Sequence, residues 1–214
     1  MSITSVKITK RRRNKELEPG IYGYITFKII DHSKVVLRRK RQMHSLTAMW
    51  FIFLWYGYYN PSPAATLTGY SPNTFNVTTV AFPDTSNSDA FWLIASSPYV
   101  GIVVGTGQQT KNPLDFTLAS PVTPSSTGLS YGTLSMSSPT VSGNTSTLSM
   151  SRAFTNNGSS PITLTEAAIV VYCSNGLTTD VAFDAALAYD YISPSITLAA
   201  GQTLTITYQI QVTT

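Results

Sequence analysis

The sequence predicts a mainly β protein: an antiparallel β-sandwich with an N-terminal β-hairpin and one short apolar helix. Three observations predict it. From residue 61 onward, short apolar runs alternate with Gly, Pro, Asn and Ser. In the last run, Leu204, Ile206, Tyr208, Ile210 and Val212 alternate with Thr205, Thr207, Gln209, Gln211 and Thr213. That period of two buries one face of a strand and leaves the other polar. Near the N-terminus, two runs rich in β-branched and aromatic residues flank a polar turn.

Residues 1–20 are polar and basic and end at Pro19-Gly20, a turn signal. Ile21 to Ile30 reads as a strand, Asp31 to Lys34 as a turn and Val35 to Gln42 as the return strand of a hairpin. Ser45 can cap a helix from Leu46 to Tyr59. That helix is apolar on both faces, so it is buried at a protein contact or sits in lipid. It is about 14 residues long, roughly 21 Å, against a hydrocarbon core of about 30 Å, so protein contact is the expectation over membrane insertion. Trp50, Phe51, Phe53 and Trp55 are its candidate oligomer contacts.

Phe91 to Ile94 is an apolar run, Tyr99 to Gly105 reads as a buried strand, and Lys111 to Gly128, rich in Pro and Ser, as a segment that crosses the surface or meets a neighbour. Ser142-Gly-Asn-Thr145 reads as a hairpin turn, followed by strands at Pro161 to Cys173, Val181 to Asp190 and Ser195 to Val212. Strands at this spacing fit an Ig-like or jelly-roll-like sandwich. The organisation expected is a basic arm, hairpin and helix over 1–60, a connecting region over 61–98 and a sandwich over 99–214.

Charged residues make up 11% of the 214, against roughly 25% in an ordinary globular protein. They are also unevenly placed. Twelve of the 14 Lys and Arg lie at or before Arg41, opposed by Glu16, Glu18 and Asp31, a balance of +9 over residues 1–41. The remainder carries −5. The clusters Lys10, Arg11, Arg12, Arg13 and Arg38, Arg39, Lys40, Arg41 are candidate contacts to a polyanion such as genomic DNA, or to an acidic partner. The first 44 residues hold no apolar run of signal-peptide type. Cys173 is the lone cysteine and reads as a small apolar residue in a buried strand.

Enzymatic chemistry has little to stand on. His32 and His44 have no Ser or Cys with an acid at triad spacing, and Gly105-Thr-Gly107 lacks the rest of a phosphate loop and reads as a turn. Asp180, Asp184 and Asp190 are close enough in sequence for a calcium site but are expected as solvated strand ends. No catalytic residue, cofactor or metal is expected. Asn76, Asn144 and Asn157 head Asn-x-Ser/Thr sequons, candidate glycosylation sites. Between Asp115 and Asp180 the charged residues are Arg152 and Glu166. Each shares its strand parity with apolar neighbours, which predicts a buried salt bridge between them across an antiparallel hairpin turning at Asn157-Gly158.

The runs Val103 to Gly107 (VVGTG), Leu129 to Gly132 (LSYG), Ser151 to Asn157 (SRAFTNN), Ile162 to Ile169 (ITLTEAAI) and Ala199 to Val212 (AAGQTLTITYQIQV) carry a resemblance. In this order, after a hairpin and a His-Ser helix start, they resemble small virion proteins of tailed phages and spindle-shaped archaeal viruses. The resemblance implies a virion location and an adaptor, nozzle or baseplate-type subunit at the tail or vertex. Such a subunit forms a homo-oligomer, a ring, and touches other virion proteins. Two other functions are weighed against it. One is a surface carbohydrate- or receptor-binding module using Tyr70, Tyr99 or Tyr131, and the other a DNA-contacting architectural protein using residues 1–41.

Overall fold

Wherever apolar and polar residues alternate in the described chain, they form paired strands. The computed structural model describes residues 20–43, 65–68, 74–77, 91–92, 99–108, 118–173 and 183–214. Among them there is no helix, and every strand pairing is antiparallel. The segment 44–59, with Trp50, Phe51, Phe53 and Trp55, lies outside the described residues, as do Lys10, Arg11, Arg12 and Arg13.

The hairpin forms where expected. β1 (Gly20–Asp31) and β2 (Lys34–Gln42) are joined by His32 and Ser33 alone, both at positive φ (44° and 68°). Two left-handed residues make the tight turn whose twist matches that of the strands it joins. The hairpin is part of the main body. β1 pairs with the last strand, β13 (Thr203–Thr213), from Gly20↔Thr213 to Ile30↔Thr203. The far side of β13 pairs with β10 (Thr145–Asn156), and β10 with the short strands β7 (Leu129–Tyr131), β8 (Ser135–Met136) and β9 (Thr140–Ser142). These seven strands form the first sheet.

The second sheet has β11 (Ile162–Cys173) at its centre, paired with β12 (Phe183–Leu198) on one side. On the other side lie β5 (Phe91–Trp92) and β6 (Gly101–Gly105). A separate ribbon pairs β3 (Ala65–Thr68) with β4 (Thr74–Val77). One apolar core joins the two sheets: Ile25, Phe27, Phe154, Leu204 and Ile206 from the first meet Ile102, Val104, Leu164, Ile169, Ile192 and Leu198 from the second.

The expected hairpin between the strands carrying Arg152 and Glu166 is not formed. The chain leaves the first sheet at Asn156 and enters the second at Ile162. Asn156 makes the corner. Its side chain is fully buried, its Nδ2 donates to Ser160 O (2.9 Å) and Leu198 O (3.0 Å), and its Oδ1 accepts from Gly158 N (3.0 Å). Buried polar groups must be paired, and here one amide satisfies both the turn and the end of β12. Replacing Asn156 with Ala is expected to cost about 2–4 kcal/mol, since it removes the donor to the buried Leu198 carbonyl and both part-buried bonds of the turn. Urea unfolding measures it, and a cost below about 0.5 kcal/mol would remove the corner role.

Candidate functional site

The basic hairpin strand divides its cations between two faces. Side chains alternate along a strand, so Leu37, Arg39 and Arg41 share one side of β2, while Arg38 and Lys40 share the other. Leu37 packs against the core. Arg39 is half-buried and donates from Nη1 to Pro194 O (2.6 Å) on β12. Arg41 Nη2 donates to Tyr191 O and lies 3.9 Å from Asp190 Oδ1. The Arg41 side chain is 14% exposed and that of Asp190 is fully buried. The Tyr208 phenol, also fully buried, lies beside the same carboxylate. Burial lowers the Arg41 pKa, while the charge of Asp190 opposes that fall. Burial and Asp190 together hold the Tyr208 phenol well above its ordinary range.

Asp190 thus lies inside the protein and is no solvated strand end, and Arg39 and Arg41 are engaged within the chain. Asp180 falls outside the described residues and Asp184 lies on β12. Among the described residues no group of three potential metal ligands is assembled.

On the outer face, Arg38 stands directly opposite Lys28 of β1, and Lys40 opposite Thr26. The Lys40 ammonium sits 4.5 Å from the centre of the Tyr24 ring. Asp31, the acid of this hairpin, is at its tip, where it accepts from Gln202 Nε2 (3.1 Å) and contacts His32 Nδ1 (2.5 Å). The Gln202 hydrogen bond, then the His32 one, hold the Asp31 carboxyl below its usual pKa.

Glu166 has a different environment from the one its parity predicts. The register of β11 against β12 shifts between Leu164 and Glu166. Leu164 therefore faces the inter-sheet core, while Glu166 joins the opposite side with Ala168 and Val170, under the segment around Leu118. There its carboxylate, fully buried, accepts from Gly107 N (3.1 Å), Ser120 N (2.8 Å), Ala119 N (3.0 Å) and Tyr189 Oη (2.9 Å). The glycines make the space. A Cβ on Gly105 would overlap Glu166 Oε1 and Ser120 O, and one on Gly107 would come within 2.6 Å of Ser120 N.

The expected Arg152–Glu166 salt bridge is consequently absent. A bulge at Thr165 turns the carboxylate to the far side of its sheet, while Arg152 stays on the inner face of β10. Arg152 is 1% exposed, donates from Nη1 to Ile102 O (3.1 Å) and lies 6.0 Å from the Tyr131 ring. A carboxylate already accepting four hydrogen bonds has no room to act as base or ligand, so Glu166 is a brace tying residues 107 and 118–120 to β11.

The structure brings together two tyrosines that the sequence singled out. Tyr99, 53% exposed, and Tyr131 line a cleft of about 110 Å³ with Val103, Pro121, Val122, Thr123 and Pro124. The Tyr131 hydroxyl is engaged internally, donating to Val122 O (2.9 Å) and lying between the N–H and C=O of Val104. Tyr70 lies outside the described residues. Asn144 is exposed in the β9–β10 turn beside Gly143. Asn157 is exposed and donates from Nδ2 to Ser130 Oγ (3.0 Å). The Asn76 side chain on β4 is not among those described.

No family model, curated protein or solved structure matches the chain.

Glu166→Ala removes the acceptor of three part-buried N–H groups and of the Tyr189 hydroxyl, an expected loss of roughly 3–5 kcal/mol by denaturant unfolding. Glu166→Asp, whose shorter side chain cannot reach all four donors, should lie between. A loss below about 1 kcal/mol would place the carboxylate in solvent.

Alkaline titration provides a second check. Burial raises Tyr131 to about 12 and Tyr208 well above an ordinary phenol. The unfolded chain, ionising near the ordinary value of about 10, binds fewer protons above that pH than the folded one. Stability should therefore hold below pH 10 and fall as pH rises through about 12, by on the order of 2 kcal/mol for Tyr131 alone. Tyr131→Phe should flatten part of that fall, and an unfolding midpoint unchanged from pH 9 to 12 would contradict it.

Proposed function

We propose that the chain is a structural subunit of a virus particle, a homo-oligomer acting as adaptor or nozzle at a tail or vertex. Its body on this reading is an Ig-like or jelly-roll-like β-sandwich. One observation carries the assembly part. Across residues 118–173 and 183–214, the described charged side chains are Arg152, Glu166 and Asp190, and all three are buried. Charged groups normally cover a soluble surface and are depleted where proteins meet. Here the outward side chains of β10 and β13 are Thr, Ser, Gln and Ala.

The part of the first sheet that ends at β9 also exposes apolar groups. Val141 is 75% exposed and Val212 is 42% exposed. Ser146 is the cross-strand neighbour of both, so they share one row and one side of the sheet. Met136, 53% exposed, stands on the same edge. The edge formed by β8 and β9 carries no charged residue, with Pro139 between the two strands, and an uncharged edge is a site for association.

The Tyr99–Tyr131 cleft supports a second reading, a surface module that binds a carbohydrate or receptor group. At about 110 Å³ the cleft is well below the roughly 300–1,000 Å³ typical of ligand pockets, so it ranks second.

Sedimentation of the full chain should give a discrete oligomer, and immunogold labelling should locate it at one end or vertex of purified particles. Val141→Lys with Val212→Lys should weaken self-association by about tenfold or more, by placing like charges in a dry contact. A wild-type chain that remains monomeric at the highest concentration it tolerates would overturn the assembly reading.

A further inference from the structure

The outer face of the hairpin is the most strongly charged surface among the described residues. Lys28, Arg38 and Lys40 project from adjacent strands on the same side. Among the described residues none of the three has an ion-pair partner, whereas Arg39 and Arg41 are turned inward. Arg38 and Lys40 stand two residues apart on one strand face, about 6.6–6.8 Å, and Lys28 lies directly across from Arg38. This is a short row of cations at the spacing of successive phosphates on a nucleic-acid strand.

The groups beside the row have matching chemistry. Tyr22, Tyr24 and Thr26 on β1 lie next to Thr207, Gln209 and Gln211 on β13, all on the outward side. Hydroxyl and amide side chains are, with Lys and Arg, the usual donors to phosphate and sugar oxygens. An anionic membrane would be expected to meet apolar side chains able to enter it. The exposed apolar side chains beside the row, Val35 and Val36, sit at one end of β2, and the outward positions of β10 and β13 offer none larger than Ala153, a small apolar area for such entry.

We infer that this face, Lys28, Arg38 and Lys40 with the hydroxyls and amides beside them, docks on the phosphate backbone of double-stranded DNA without reading its sequence. The inference deepens the reading of the chain as a particle component by naming the partner of its basic face. The acidic-protein partner that the sequence left open gives way to it, because row spacing and neighbouring donors both suit a phosphate chain.

Each phosphate neutralised lowers the slope of log Kobs against log salt by about 0.9, so three contacts contribute about 2.7. Between about 50 and 200 mM salt, the wild-type chain should then lose roughly 40-fold more affinity for a short labelled duplex than the triple variant K28A/R38A/K40A. The comparison uses fluorescence anisotropy on the full chain. The loss should be equal for duplexes of unrelated sequence.

The triple variant keeps the wild-type unfolding midpoint if folded normally, and K28A/R38K/K40A, which keeps one cation of the row, binds more tightly than the triple alanine variant. K10A/R11A/R12A/R13A measures the share of the preceding arm separately. The association variant V141K/V212K should retain the wild-type salt slope, so failure of self-assembly and failure of DNA docking give different results. An unchanged slope in the triple variant, no duplex binding by the wild type at about 50 mM salt, or binding to phosphatidylserine vesicles in place of DNA each overturns the inference.

Discussion

Asp190 sets which way the basic strand faces. A fully buried carboxylate without a cation costs several kcal/mol, and Arg41, from the edge strand of the other sheet, lies 3.9 Å away. Turning Arg41 inward fixes the parity of β2 back to Leu37, beyond which the register shifts: Arg39 follows it onto Pro194 O and Leu37 onto the core. Arg38 and Lys40 must then point out, beside Lys28. A slip of one residue would exchange the two sets, sending Arg38 and Lys40 at the β12 carbonyls and taking the Arg41 cation away from Asp190. The same contact therefore holds the two sheets together and exposes the cationic row.

Over residues 118–171 and 188–214 the other described charges also lie inside. Glu166 is surrounded by backbone N–H groups that Gly105 and Gly107 allow to approach, and Arg152 reaches Ile102 O. The outer face of the first sheet is tied by neutral pairs: Thr145–Thr213 (3.1 Å), Thr155–Thr203 (2.9 Å), Gln209–Ser149 (3.4 Å) and Gln211–Thr147 (3.1 Å). Cross-strand pairs of this kind stabilise a sheet modestly and without charge. Over β10 and β13 this face has no like-charge repulsion to hold copies apart, unlike the cationic stretch it continues into on β1 and β2.

Much of this was legible in the sequence where a strict period of two met clear turn residues. The alternation of β13, the hairpin at His32-Ser33, the Gly143-Asn144 turn and the buried run at Gly101 to Gly105 all follow from local pattern. The faces of Glu166 and Arg41 do not. Parity assumes an unbroken register, and the shift beside Thr165 breaks it with no glycine or proline at that point to announce it. Nor can four adjacent cations, Arg38 to Arg41, reveal which two are inward, since the deciding partner is Asp190, far away in sequence. The glycines of Val103 to Gly107 looked like a turn because their real constraint, room for a carboxylate from another strand, is tertiary.

The two edges of the first sheet are unequal, and that inequality bears on how copies meet. β2 exposes Val35 (53%) and Val36 (55%), as apolar as anything on the opposite edge, but Lys34, Arg38 and Lys40 stand beside them. Lysine on an edge strand is a common guard against edge-to-edge pairing, and two such edges brought together would place like charges within the Debye length of about 8 Å. At β9 the exposed Val141 has only Thr140 and Ser142 beside it on the strand, with no charge on β8, β9 or β10 except buried Arg152. Association through β9 therefore meets no electrostatic opposition, while association through β2 does. Copies joined at β9 would keep the cationic rows clear of one another and open to a shared polyanion.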